Sequence, residues 1–198
     1  MSERPMRSVG SSRRVVLDAN VLVPNALRDI LLRAAEAGLY EVRWSATTLD
    51  EIERTLLNRL LAKRPDRAAR VEYLLAAMRA AFPLATVAEN AAVIARLTND
   101  PKDRHVLAAA VQTGARTIVT NNLRDFPPTA LRPHRVAART PDRFLQDLFR
   151  RQPARLVEIL VAQGADLRQP RSPEAILDTL AQHAPGFVRT VRAAMADR

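Results

Sequence analysis

The chain has 198 residues, of which 47% are hydrophobic. That is enough for one domain with a full core, or one domain plus a small appendage. It contains no cysteine, which excludes disulfides, thiolate metal sites and cysteine nucleophiles. Its three histidines, His105, His134 and His183, stand far apart in sequence and do not suggest a His-rich zinc site. Lys and Arg number 31 against 21 Asp and Glu, a formal net charge of +10. Only Lys63 and Lys102 are lysines, so the excess is arginine, whose planar fork donates paired hydrogen bonds to phosphate. Such a balance favours a polyanionic partner, nucleic acid first; a solvated arginine-rich surface is the plainer reading. No apolar run approaches the roughly 20 residues that span a bilayer. Met1 to Arg14 lacks the apolar stretch of a secretory signal. The sequence therefore reads as soluble and cytoplasmic, with no membrane partner.

Residues 1–12, with Gly10-Ser11-Ser12 before Arg13, read as a flexible lead-in. Val15-Val16-Leu17 is a short, mostly β-branched run that predicts a buried strand ending at Asp18. Pro24 to Gly38 carries a helical pattern through Leu27, Ile30, Leu31 and Ala34, with Gly38 as its stop. Tyr40 to Trp44 alternates as a second strand. Ser45 to Leu61 is helical through Leu49, Ile52, Leu56 and Leu60. Pro65 opens a further helix to about Phe82. Leu84 to Val87 reads as a short strand, followed by a helix around Glu89 to Leu97. Asp100-Pro101 starts a helix through Val106, Leu107, Ala110 and Val111 that Gly114 stops, and Arg116 to Thr120 is the next strand. Strands alternating with helices predict an α/β layered domain with a mostly parallel central sheet. After Pro141 the pattern is all-helical, with segments Asp142 to Arg150, Ala154 to Gln163, Pro173 to His183 and Phe187 to Ala196. These residues give a main domain over 13–148 and a small helical C-terminal appendage over 149–198, too short to hold a core alone.

In an open parallel sheet, ligands gather beyond the carboxyl ends of the strands. Asp18 lies at such an end, where a carboxylate closing an apolar run is costly to desolvate unless compensated; capping the following helix is its structural alternative. Asp100 suits an N-cap with Pro101 at the first helical position, and Asp103 falls three residues later, where it favours the helix dipole. Asp103 nevertheless shares a face with Val106, Leu107 and Ala110 and so points along the buried side. Thr48 and Glu51 fit a capping box, and Asp125 follows the strand that ends at Thr120, where a loop acid is ordinary. Together, Asp18, Glu51, Asp103 and Asp125 all fall just past a strand or at the head of the helix that follows one. Such carboxylates repel one another unless protonated or occupied by cations. Oxygen-only ligation suits Mg²⁺ or Mn²⁺, and a divalent cation there would serve in-line attack on a phosphodiester.

Four stretches carry a resemblance. Leu-Asp-Ala-Asn-Val-Leu (17–22), Leu-Asp-Glu-Ile (49–52), Asp-Pro-Lys-Asp-Arg-His-Val-Leu-Ala-Ala-Ala (100–110) and Thr-Asn-Asn-Leu-Arg-Asp-Phe (120–126) resemble, in this order, the motifs of PIN-domain ribonucleases. The likeness is to the VapC-type toxins of bacterial toxin–antitoxin pairs and covers about residues 13 to 148. It implies a three-layer PIN fold, metal-dependent endoribonuclease activity on RNA, a cognate antitoxin and commonly a toxin homodimer. It implies Asp18 and Asp103 as the principal metal ligands, with Glu51 and Asp125 completing the acidic pocket and Asp100 as a further acid. Asn20, Thr120 and Asn122 become polar groups that orient ligands, water or phosphate. Where many relatives place an acid this chain has Asn122, which hands that role to Asp125.

Lys102, Arg104 and Arg124 flank these acids as candidate phosphate contacts, with solvated surface as the equal alternative. His105 reads as a packed or exposed histidine rather than a general base. Trp44 and Tyr73 read as core or interface positions rather than base-stacking platforms, since only 4% of the chain is aromatic. With five glycines in all and no Gly-rich phosphate loop, dinucleotide and P-loop readings fail. Two other functions compete with the ribonuclease. One is a phosphotransfer domain with Asp18 as nucleophile, weakened by Asn20 where a second acid is needed. The other is a non-catalytic nucleic-acid-binding module whose acids are only caps.

Overall fold

The computed structural model describes residues 13–196; the lead-in expected over residues 1–12 lies outside them. Five strands, β1 (Arg14–Leu17), β2 (Glu41–Ser45), β3 (Thr86–Val87), β4 (Thr117–Val119) and β5 (Ala137–Arg139), form one sheet in the order β3-β2-β1-β4-β5. Every pairing is parallel, so all carboxyl ends lie along one edge. The chain builds outward from β1 to β2 and β3, then returns to the other side of β1 for β4 and β5. The order therefore reverses beside β1, where ligands of open α/β sheets bind. The ladder runs one residue past each strand: Asp18 N–H donates to Val119 O at 3.1 Å, and Thr120 N–H donates to Arg139 O at 3.0 Å.

The β period of two divides the strand residues between two cores. Val15 and Leu17 join one cluster and Val16 joins the other. On the first face lie α1 (Ala19–Leu22), α2 (Asn25–Glu36), α3 (Ala46–Thr55) and α4 (Arg67–Ala81); on the second lie α6 (Arg104–Thr113) and the short α7 (Pro128–Leu131). A single turn, α5 (Ala91–Ile94), precedes α6 and is capped by Asn90. Gly38 and Gly114 follow α2 and α6 with φ of +74° and +68°, the left-handed backbone that terminates helices at little cost only in glycine.

The α/β fold with a parallel sheet and C-terminal helices is as expected, with informative differences. The segment from Ser45 to Leu61 is not one regular helix: α3 ends at Thr55 and passes into a π-helical turn at Leu56–Leu60. The predicted Thr48–Glu51 capping box does not form. Ser45 is the N-cap and its hydroxyl accepts Thr48 N–H at 3.0 Å, because β2 ends directly at the cap. The helix after Pro65 begins at Arg67. Two elements unmarked by periodicity, α1 and β5, are only four and three residues long. Trp44 is buried in the core and donates from Nε1 to Thr86 Oγ1 at 3.0 Å. Tyr73 stands on the outer side of α4, 78% exposed, so a core position is excluded for it.

The C-terminal helices α8 (Pro141–Arg151), α9 (Pro153–Ala165), α10 (Pro173–Leu180) and α11 (Pro185–Ala196) each begin with proline, whose fixed φ and missing N–H suit the first turn. Thr140 and Ser172 cap α8 and α10. Their buried Leu145, Leu160, Leu177 and Phe187 belong to the same cluster as Leu27, Ile30 and Leu31 of α2. Gln163 Nε2 donates to Ala26 O at 3.1 Å, and Arg33 pairs with Asp166 at 2.8 Å. Leu160→Ala therefore opens a cavity in a shared core and is expected to cost about 2–5 kcal/mol. Far-ultraviolet circular dichroism, dominated by helices, and the fluorescence of Trp44, seated in the sheet, should lose signal together in one denaturant transition. Two separate transitions would show that the helices fold independently.

Candidate active site

The sheet edge presents Asp18, Ser45 and Thr120 side by side, one at the end of each of β1, β2 and β4. Asp18 is 3% exposed. Its Oδ2 accepts Thr120 Oγ1–H at 2.6 Å and Asn20 Nδ2–H at 2.6 Å. Asn20 is locked in turn, its Oδ1 accepting the backbone N–H of Asn121 at 2.9 Å. Thr120 Oγ1 also accepts the N–H of Asn122 at 2.9 Å. Three residues singled out as polar orienting groups, Asn20, Thr120 and Asn122, are thus wired to Asp18 directly or through one step.

Neither of the two central acids caps the helix that follows it. Asp18 precedes α1 and Asp103 precedes α6, both at the N-cap, yet neither side chain makes a capping hydrogen bond. The cap is supplied by Asp100, whose Oδ1 accepts Lys102 N–H at 2.9 Å at the start of the 3₁₀ turn Pro101–Asp103. Asp18 and Asp103 instead face one cavity of about 650 Å³, shared with Asn20, Glu51, Arg54, Asn58 and Arg59. Asp125 does not line it. Its carboxylate takes a hydrogen bond from Asn122 Nδ2 and lies 3.6 Å from Arg124 Nε, although its charge still reaches Asp103. Asp100 and Asp125 are tied through their backbones, Asp100 N–H to Asp125 O at 3.3 Å.

The basic residues divide. Lys102 and Arg124 are exposed beside the cavity rather than in its wall, and Arg104 Nε is engaged by the carbonyl of Asn99 at 3.3 Å. Arg54 and Arg59 line the cavity itself and are exposed. Arg59 lies in the π-helical turn, which rotates residues after Thr55 away from the α-helical phase, so no regular helical pattern marked it. Arg54 lies in α3 three residues after Glu51, a spacing that places both on one face and could have marked it.

Burial governs the electrostatics, and crowding adds to it. Burial pushes the Asp18 carboxyl above its ordinary pKa, and the charge of Glu51 adds to the shift against the hydrogen bond from Thr120. Asp103 is raised to about 6, first by desolvation and then by the negative charges of Asp18, Asp125 and Asp100. Burial alone would lower the pKa of His105, but the Glu51 carboxylate, with Oε1 3.6 Å from Nε2, turns the net shift upward. Carboxylates held apart from compensating charge in this way suit a divalent cation. Among the described residues no three side chains of His, Cys, Asp or Glu close a complete ligand set. Two carboxylates with water completing the shell is the coordination usual for Mg²⁺, and Asp18 and Asp103 fit that role.

Known proteins resemble this chain in both of its parts. The family described as PIN domain matches residues 14–124, and that described as VapC50 C-terminal domain matches residues 141–193. A protein of Mycobacterium tuberculosis (strain ATCC 25618 / H37Rv), named "Putative ribonuclease VapC50", is 43% identical over 101 residues, covering 50% of this chain and 60% of that protein. No solved structure gives a significant match.

Asp103 also makes the site sensitive to pH. Its pKa of about 6 in the folded chain lies above the unfolded value near 4. Its contribution to stability is therefore full below about pH 4 and is lost as pH rises through 6. Without divalent metal, Asp103→Asn should stabilise the protein at pH 7 by about 1–2 kcal/mol, a figure reduced for the solvent that screens this half-exposed side chain. The gain should disappear toward pH 4. Thermal unfolding of both proteins across this range in chelator checks it; an Asn variant no better off at pH 7 than at pH 4 would show that neither burial nor the neighbouring acids penalise the Asp103 charge.

Proposed function

The chain belongs to the PIN-domain family, and from that premise we propose that it is a divalent-metal-dependent endoribonuclease acting in the cytoplasm as the toxin of a type II toxin–antitoxin pair. One observation carries the reading: Asp18 and Asp103 occupy helix-start positions without capping, and face a common cavity that raises both pKa values. A scaffold that needed only caps would not accept that cost. The likeness to a protein named as a ribonuclease supports RNA as the substrate, as does a net charge of +10 carried by arginine.

In this reading Asp18 and Asp103 hold Mg²⁺ or Mn²⁺, with Thr120 and Asn20 fixing the Asp18 carboxylate that does so. The bound cation supplies positive charge to the phosphodiester and a more acidic water for in-line attack. Glu51, half-buried in the same cavity, takes the proton that the attacking water releases. Arg54 and Arg59 bind the flanking phosphates, each as a bidentate fork. Asp125, Asp100 and Asn122 shape the second side of the acidic edge. Lys102, Arg104 and Arg124 extend the phosphate track outside the cavity. A cognate antitoxin covering the acidic cavity, and a homodimer of the toxin, complete the assembly that the VapC likeness implies.

The test is cleavage of single-stranded RNA in Mg²⁺ or Mn²⁺. Wild type should cleave and stop on chelation. Asp18→Asn and Asp103→Asn should each lose at least about 100-fold in kcat, because a ligand of the charge-neutralising centre is gone. Arg54→Gln and Arg59→Gln should each raise KM about 10-fold with kcat nearly unchanged, the signature of uniform phosphate binding. Full cleavage in chelator, or by the Asp103 variant, would contradict the proposal.

A further inference from the structure

One buried polar chain reaches the cavity from inside the fold. His105, the second residue of α6, is 6% exposed and is followed on its helix by buried Val106, Leu107, Ala108 and Ala109. Its Nδ1 lies 2.7 Å from Ser45 Oγ. Its Nε2 has no hydrogen-bond partner among the described residues, and Glu51 Oε1 stands 3.6 Å from it. A packing role alone would not call for an imidazole here, because a buried N–H without a partner is destabilising and an apolar ring would avoid that cost. The nitrogen is compensated only if the Glu51 carboxylate is kept beside it.

The hydroxyls and the Glu51 carboxylate together favour one tautomer. Ser45 Oγ accepts the backbone N–H of Thr48 and lies 3.0 Å from Thr48 Oγ1. A hydroxyl has one proton to give. If Thr48 donates to Ser45 and Ser45 donates to Nδ1, the imidazole carries its proton on Nε2, facing the carboxylate; the reverse order would place it on Nδ1. The opposite tautomer would set a nitrogen lone pair against Glu51, a repulsive arrangement.

We propose that His105 is a positioning residue which, through its Nε2–H, sets the orientation of the Glu51 carboxylate in the cavity, with Ser45 and Thr48 fixing its tautomer. The inference rests on the ribonuclease reading, in which Glu51 takes part in the reaction. It adds a group outside the cavity wall to the machinery and explains why β2 ends in serine.

The test uses the full chain, a fluorophore–quencher single-stranded oligoribonucleotide and Mn²⁺. His105→Asn keeps a polar group near Ser45 but withdraws the donor from Glu51. His105→Gln returns an N–H near the position of Nε2. The Asn variant should lose 10- to 100-fold in kcat, the scale seen when an outer partner of a site residue is removed, with KM within about 2-fold. The Gln variant should recover most of that loss. In a Glu51→Gln background His105→Asn should cost nothing further. Equal losses for Asn and Gln, or losses that multiply in the double variant, would overturn the proposal. If Glu51→Gln leaves no measurable rate, the Asn–Gln contrast decides alone. If His105→Asn does not fold, Ser45→Ala carries the test: it frees Nδ1, and its kcat loss should likewise vanish in the Glu51→Gln background. A wild type that cleaves no RNA removes the ribonuclease reading itself, an outcome distinct from wild-type cleavage with equal Asn and Gln losses.

Discussion

The burial of carboxylates at the carboxyl edge of a parallel sheet, sharpened by the charge of their acidic neighbours, is the constraint around which this protein is organised. Asp18 is nearly inaccessible to water and Asp103 half so, and burial first, then neighbouring negative charge, raises the proton affinity of each. Nothing in capping explains their positions. What holds Asp18 ionisable in such a place is the pair of donors from Thr120 and Asn20, and both are in turn fixed by backbone amides from the loop after β4. The loop that carries Asn121 and Asn122 is therefore part of the site even though it lies outside the cavity wall.

The fold makes this placement rigid. Parallel pairing on both sides of β1 brings three strand ends into line. A run of buried alanines, Ala108 to Ala110, lets α6 lie close to the sheet, which carries Asp103 and His105 at its start to the same edge. On the opposite face α2 begins just after the cavity residues Val23 and Pro24. That helix is held from outside by α9, through apolar packing, the Gln163–Ala26 hydrogen bond and the Arg33–Asp166 pair. The C-terminal helices thus buttress an element adjoining the cavity without lining the cavity themselves.

Much of this was legible in the residues. Short β-branched runs gave β1 and β4, helical stripes gave α2, α4 and α6, and glycines gave the stops at Gly38 and Gly114. The acids at strand ends were visible as a group, since each alone could have been a helix cap or an ordinary loop acid. What could not be read has physical causes. β5 contains Ala137, Ala138 and Arg139 and carries no strand propensity of its own; pairing with β4 makes it a strand. The capping box at Thr48 was a local signal overridden by Ser45, whose hydroxyl is buried between α3 and α6. Arg59 enters the cavity from a π turn, which no period-3.6 pattern announces, whereas Arg54 follows Glu51 by three residues on α3 and was open to that reading. Asp125, read in sequence as an ordinary loop acid that completes the pocket, does not line the cavity, and its carboxylate takes a hydrogen bond from Asn122.

The most direct test of this account is Mn²⁺ binding followed by electron paramagnetic resonance of the free ion, in wild type and in Asp18→Asn and Asp103→Asn, without RNA. The account predicts saturable binding by wild type that is weakened at least 10-fold in each variant, while all three proteins keep the same circular dichroism spectrum. Equal binding by all three, or none by wild type at millimolar Mn²⁺, would contradict it.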